Sequence, residues 1–182
     1  MTVLVTGGAG GIGGAVCREF AAAGYKVAIN YFKSEESANK IVDEILEAGG
    51  MAKAYKADVS QPAEVSKMVV DVMADLGHVD VLINNAAVAY QGLITDTTDV
   101  IYDRLMDVNM KGAFNATKAV LPGMINRKDG VIINISSMWG EVGASCEVIY
   151  SASKAALLGF TKSLAKDCLL YTSDAADDLI GV

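Results

Sequence analysis

A doubly wound α/β fold with a parallel sheet is the architecture this sequence predicts, and three observations predict it. Short β-branched apolar runs alternate along the chain with longer segments of helical period. Runs such as VLVT and VIINI are near-continuously apolar, the pattern of strands buried on both faces by crossover helices. Eighteen glycines against two prolines, with 7% aromatic residues, suit tight strand-to-helix turns better than a sandwich. At 182 residues, 52% hydrophobic and 20% charged, the chain is long enough for one well-buried domain; no fixed-period repeat, low-complexity tract or linker marks a second.

Each element has its own signal. Thr2 to Thr6 reads as the first strand, and Gly11 to Ala23 as a helix with Ile12, Ala15, Val16, Phe20 and Ala23 inward. Lys26 to Tyr31 is the second strand and completes a βαβ unit. Ser34 is placed to cap a helix that runs to about Ala48, where the glycines of EAGG end it. MAKAYKADV (Met51 to Val59) is a third strand, and Ser60 reads as the N-cap of a helix with Pro62 in its first turn. VDVLINNAA gives strand four, a helical stretch runs from about Thr98 to Arg127, and GVIINISS gives strand five. A final helix is expected from about Ile149 to Asp167, with Leu157, Leu158, Phe160, Leu164 and Ala165 on one side.

Charge and composition exclude several functions. A net charge of -7 and a pI near 4.6 argue against nucleic acid as a partner, because phosphate binding needs a basic surface. Cys17, Cys146 and Cys168 are odd in number and lack metal-ligand spacing, and His78 is the sole histidine, so neither a disulfide framework nor a metal site is expected. No basic segment precedes an apolar stretch at the start, and no apolar run approaches a membrane span, so a soluble, cytoplasmic protein is expected.

TGGAGGIG, from Thr6 to Gly13, lies between the first strand and the first helix. Glycines at 7, 11 and 13 let the backbone turn sharply and approach a pyrophosphate, while the helix N-terminus offers N–H groups and a favourable dipole. A glycine turn can also be a plain connector; its place in a βαβ unit favours a dinucleotide. The spacing T-G-x-x-x-G-I-G, with Asp58 and Val59 in DV and Asn84 to Ala87 in NNAA, resembles the short-chain dehydrogenase/reductase family, a Rossmann fold. The resemblance implies that Asp58 and Val59 contact the adenine and that the NNAA segment, with Asn85 and Ala86, stabilises the sheet beside the cofactor; Ala87 departs from the family's glycine. Thr6, Gly7, Gly11, Ile12 and Gly13 are the candidate loop residues.

The end of strand two decides between dinucleotides. An acidic residue there accepts from the ribose 2′-OH and repels a 2′-phosphate. Tyr31 holds that place, followed by Phe32, Lys33 and Ser34; Lys33 and Ser34 can bind the phosphate, while the plain alternative makes Lys33 a solvated loop residue. The reading favours NADP and leaves NAD open.

The segment SSMWGEVGASCEVIYSASK carries the chemistry. Tyr150 and Lys154 lie four apart at the start of a helix and share a face, so the ammonium can stabilise a phenolate whose ordinary pKa is about 10. Ser137 ends strand five on the carboxyl side of the sheet, where ligands of open α/β folds bind. By the resemblance, Ser137 hydrogen-bonds the substrate oxygen, Tyr150 passes the proton, Lys154 also holds the nicotinamide ribose, and Asn109 of DVNMKG positions a water. Ser136 fits the spacing less well, and Asn115 lies outside the motif. The implied reaction is carbonyl reduction, reversible as alcohol oxidation.

Over Thr2 to about Asp167 the chain resembles the 3-oxoacyl-[acyl-carrier-protein] reductases, which implies an acyl carrier protein as a partner and, in an intact form, a homotetramer. Arg127 and Lys128 could meet an acidic carrier, or simply be solvated. The loop before Tyr150 resembles the reductases acting on a 5-aminopentanone group of elongation factor P: Glu141 and Glu147 could pair with a cationic amine, against the plain reading of loop or capping glutamates. Trp139 reads as packing and Cys146 as a small apolar filler. A dinucleotide-binding redox sensor without turnover is the reading from another class, and the presence of all four candidate catalytic residues argues against it. After Asp167 the family's sixth strand and proline-glycine segment are not recognisable, and CLLYTSDAAD resembles the translation of a transposase-type sequencing adapter. The expectation is a C-terminally truncated domain over residues 1–167, catalytically impaired, with a non-native tail over 168–182.

Overall fold

A computed structural model describes the backbone of residues 1–172 and the side chains of residues 1–168. Five parallel strands lie in the order β3-β2-β1-β4-β5. They are β1 (Thr2–Val5), β2 (Lys26–Tyr31), β3 (Met51–Lys56), β4 (Val81–Asn84) and β5 (Val131–Asn134). The helices are α1 (Gly11–Ala22), α2 (Glu35–Glu47), α3 (Pro62–Leu76), α4 (Asp99–Met106), α5 (Gly112–Arg127), α6 (Trp139–Val142) and α7 (Val148–Thr172).

Alternate strand residues feed two cores. Val3, Val5, Val27, Ile29, Val81 and Ile83 pack with Cys17 of α1 and Ala38, Ile41 and Ile45 of α2. Leu4, Ala28 and Leu82 pack on the other face with Val65, Val69 and Val72 of α3 and Ala116, Val120 and Met124 of α5. That is the doubly wound arrangement, and the strand order reverses between β1 and β4, so the carboxyl ends of those strands open a crevice for a ligand.

The structure moves several boundaries. Strand three stops at Lys56, three residues short of the expected Val59, because the ladder ends where Ala57 N–H donates to Tyr31 O and Asp58 leaves the sheet. Strand four stops at Asn84, since the N–H groups of Asn85 and Ala86 turn to Thr6 Oγ1. Strand five stops at Asn134. Gln61, not Ser60, is the N-cap of α3; the Ser60 hydroxyl instead donates to Asp58.

The inner face of α1 is rotated from the expected one. Gly13, Gly14 and Cys17 are buried, whereas Ile12 is 66% exposed and Ala15 and Ala23 also face solvent. Glycines at the helix start let its backbone, rather than side chains, meet the loop. Between Met106 and Gly112 the expected single helix contains a π-turn, Asp107–Lys111. Helix α7 continues past Asp167 to Thr172, with Leu157 buried, Leu158, Phe160 and Leu164 half-buried and Ala165 exposed. Of the segment expected to be non-native, 168–172 belong to that helix and 173–182 lie outside the described residues.

Candidate active site

The glycine loop is tied to two neighbouring strands. Gly7 N–H donates to Asn30 Oδ1 and Gly8 N–H to Asn30 O, at 3.1 and 2.9 Å. Asn85 Nδ2 donates to the carbonyls of Thr6 and Gly7, both at 3.0 Å. A Cβ on Gly13 would lie 2.4 Å from Gly7 O, and Gly7 itself has φ +61° with its Cβ position 2.8 Å from Ala86 Cα. Side chains at those two places would force the loop open.

Helix α1 begins beyond this loop with no side-chain cap and no acidic residue in its first turn. Its leading N–H groups are therefore available to an anion. Thr6 and Asn85 join the loop to the end of β4. The Thr6 hydroxyl donates to Ile83 O and accepts from Asn85 and Ala86, so it is consumed in joining β1 to the end of β4.

A cavity of about 390 Å³ opens beside the loop, bounded by Gly7, Gly10, Tyr31, Lys33, Asp58 and Arg104 among others. Ser34, Val59 and Ala86 also reach it. Gly11, Ile12 and Gly13 are not on its wall; they lie at the first turn of α1. Tyr31 is buried, and its hydroxyl is pushed above the ordinary 10.0 by burial and by the Glu35 carboxylate beside it. Lys33 Nζ and the Arg104 guanidinium lie 5.7 and 5.8 Å from the centre of the Phe32 ring.

Asp58 is the hub of this end. Its Oδ1 accepts from Ser60 N–H at 3.0 Å and Ser60 Oγ at 2.7 Å, and its Oδ2 accepts from Arg104 Nη1 at 3.3 Å. Burial alone raises its pKa, but the Ser60 bonds and the Arg104 cation outweigh that and hold it below the ordinary 3.8. Asn115, outside the expected motif, donates to Val59 O at 2.9 Å and fixes the backbone that follows Asp58.

At the other end, β5 and α7 are stitched together. Lys154 is buried and its Nζ donates to Ile135 O at 2.7 Å, while Ser136 Oγ donates to Lys154 O at 2.9 Å. Desolvation lowers the Lys154 pKa from the ordinary 10.5. Its ammonium sits 5.8 Å from the centre of the half-exposed Tyr150 ring. Ser136 is thus committed to the helix, whereas Ser137 Oγ accepts from Trp139 N–H at 3.2 Å and keeps its own proton to donate. Cys146 has φ +61°, and its carbonyl accepts Gly92 N–H at 2.8 Å, linking the loop before α7 to the loop after β4.

Asn109, in the π-turn, uses three of its four side-chain hydrogen-bonding positions. Its Oδ1 accepts from Val88 N–H at 2.8 Å, and its Nδ2 donates to Val88 O and to Ser153 Oγ, both at 2.9 Å. Ser153, 0% exposed, donates in turn to Tyr150 O at 2.7 Å. Asn109, Tyr150 and Lys154 are therefore brought together through Ser153 and the ring–ammonium contact, with Ser137 on the β5 turn bonded through its neighbour Ser136 to Lys154.

A sequence model of the short chain dehydrogenases matches residues 1–172. The chain belongs to that family. It is 38% identical over 166 residues to the 3-oxoacyl-[acyl-carrier-protein] reductase FabG of Staphylococcus aureus strain Mu50, covering 91% of this chain and 68% of the relative. A crystal structure of a metagenomic short-chain oxidoreductase in complex with NADP is similar with a TM-score of 0.89 and 32% identity, over 94% of this chain and 77% of that one. A blue fluorescent protein from a metagenomic library, in complex with NADPH, is similar with a TM-score of 0.86 and 38% identity, over 93% and 70%. As a member of this family the chain is an NAD(P)-dependent oxidoreductase acting on carbonyl or hydroxyl groups.

Four contributors escape sequence reasoning. Ser153 has a signal, three residues after Tyr150 and hence on the same helical side. Asn30, a lone buried amide in the apolar strand KVAINY, also has one. Arg104 has none, because its partner Asp58 is 46 residues away. Glu35, the first residue of α2, carries only the signal of a helix start. Arg127 points elsewhere: it donates to Val79 O at 2.9 Å and lies 3.8 Å from Asp80, at the amino ends of β4 and β5, remote from the crevice. It is not free to meet a carrier there. Among the described residues, no group of three His, Cys, Asp or Glu side chains is placed for a metal, and no helix is long and apolar enough to cross a membrane.

Proposed function

We propose that this chain forms the dinucleotide-binding and catalytic part of a cytoplasmic, NADPH-dependent carbonyl reductase acting on 3-oxoacyl thioesters carried by acyl carrier protein. The observation that carries the reading is the joining of Asn109, Ser153, Tyr150 and the buried Lys154 at the end of β5, in a chain 38% identical to a reductase of that substrate.

The donor set fits a dinucleotide. The start of α1, at Gly11, Ile12 and Gly13, suits the pyrophosphate; Asp58 and Val59 suit the adenine, with Ala86 along the crevice; Lys33 and Ser34 suit a 2′-phosphate. The NADP complexes of the two similar structures support that phosphate. Glu35 is the opposing charge, so the preference rests on Lys33 outweighing it. When bound, the nicotinamide supplies the hydride. Ser137 donates a hydrogen bond to the carbonyl oxygen, Tyr150 gives it a proton, and Lys154 holds positive charge beside the phenol. The Asn109 side chain clamps Val88 and Ser153 rather than pointing at substrate, and so positions the groups that act.

Exposed Val100, Tyr102 and Phe114 on α4 and α5 support assembly through those helices, and light scattering checks the expected homotetramer. The central test measures NADPH consumption with an acyl-carrier-bound acetoacetyl thioester and with an aminoketone peptide of elongation factor P. Turnover of the thioester alone is expected, at a rate reduced in this 182-residue chain. Turnover of the peptide alone would transfer the assignment to the second substrate, to which exposed Glu141 and half-buried Glu147 are suited. Tight NADPH binding with neither turned over would favour the redox sensor.

A further inference from the structure

We infer that Arg104 is a positioning residue for purine recognition: it fixes the Asp58 carboxylate so that one acceptor site remains directed to an exocyclic amino group. The inference rests on the proposal that Asp58 meets the adenine.

An ionised carboxylate offers roughly four acceptor sites. Two Ser60 donors occupy Oδ1, and Arg104 occupies one site on Oδ2, so the described contacts leave a single acceptor on Oδ2. The Asp58 side chain is 13% exposed, and Glu64 Oε2 stands close by, accepting Asp58 N–H at 2.8 Å. Burial of the carboxylate favours its protonation, and a protonated acid would offer a donor where adenine also offers one. Among the described residues Arg104 is the cation bonded to Asp58, and it keeps the group an acceptor only.

Arg104 is itself held in place. It projects from α4, opposite the β3–α3 turn, and its guanidinium lies over the Phe32 ring that follows β2. Three separate segments therefore meet at the purine end: the ring of the residue after β2 lies 5.8 Å from the arginine, the arginine fixes the carboxylate, and Ser60 locks the far oxygen. A lysine at 104 could supply the charge but not the flat stacking surface.

The chemistry predicts discrimination between adenine, which donates from its 6-amino group, and hypoxanthine, which has a 6-keto acceptor. Equilibrium fluorescence titration with NADPH and with its hypoxanthine analogue reads this without turnover. Wild type is expected to bind the adenine form tighter by about tenfold or more, the size of a charged hydrogen bond. In Arg104→Met the ratio falls towards one, mainly by weaker NADPH binding; Arg104→Lys restores part of it; Asp58→Asn abolishes it independently. A ratio unchanged in Arg104→Met overturns the inference, as does a loss seen with NADPH but not NADH, which would make Arg104 a phosphate ligand. Wild type without any adenine preference would instead overturn the Asp58 reading beneath it.

Discussion

Strands β4 and β5 carry nearly the same residues, VLIN and VIIN, side by side in register, yet every residue of β4 is buried while β5 alternates between exposed and half-buried. Val131 and Ile133 are 51% and 40% exposed. The difference is one of neighbours. β4 lies between β1 and β5, and among the described residues β5 pairs with β4 alone. An apolar run marks a strand, but cover on both sides decides how much that strand stabilises. The glycine loop of the proposed site is held by the covered strands β1, β2 and β4, and the proposed catalytic end grows from β5 and α7, so the two should fail separately.

Four outcomes would break or sharpen that contrast. Tyr150→Phe should lower turnover by roughly 10²–10⁴-fold, the worth of a positioned proton donor, with NADPH affinity unchanged in titration. Equal losses of binding and turnover would mean that the two ends are one unit. Leu82→Ala, in the covered strand, should cost about 2–5 kcal/mol in urea unfolding, against about 1 kcal/mol or less for Ile133→Ala. Similar midpoints for the two variants would dissolve the distinction between β4 and β5. Ser153→Ala leaves an Asn109 N–H without its buried acceptor, at about 1–3 kcal/mol, and should depress kcat more than the KM for NADPH.

The smallest effect is a pH dependence of the same sign at the two ends, in an acid window at one and an alkaline window at the other. Asp58 has a lowered folded pKa, so its contribution is fully present above the ordinary 3.8 and is lost as pH falls through the lowered value. Lys154 also has a lowered folded pKa, but as a base. Between that value and the ordinary 10.5 the unfolded chain binds more protons, so stability rises with pH there. Asp58→Asn should remove the acid loss and Lys154→Met the alkaline gain, read as urea midpoints across pH. Loss of both slopes in either variant would show that the ends titrate together.

The sequence made the strands, their order of appearance and the Tyr150–Lys154 spacing legible, because apolar runs and i, i+4 pairs are local signals. Strand ends were less legible, since they depend on distant acceptors: Thr6 Oγ1 takes the N–H groups of Asn85 and Ala86 and stops β4 early. The inner side of α1 is not legible, because Gly13 and Gly14 carry no apolar signal although they make the closest approach. Arg104 and Asp58 meet across 46 residues, and Asn109 and Ser153 across 44. No window of local sequence contains either pair.

The π-turn at Asp107–Lys111 has a consequence for anyone scanning this region by mutation. A turn of that kind carries one residue more than an α-helical turn, so the phase of the helix slips by about 100° across it. A single helical wheel drawn from Asp99 to Arg127 is therefore out of phase by that angle for one of the two helices. Ala116 and Val120 after the slip pack in the core with α3, whereas Leu105 before it is buried outside that cluster. Removing one residue from the turn would leave the composition almost untouched and point half of the rod at the wrong neighbours.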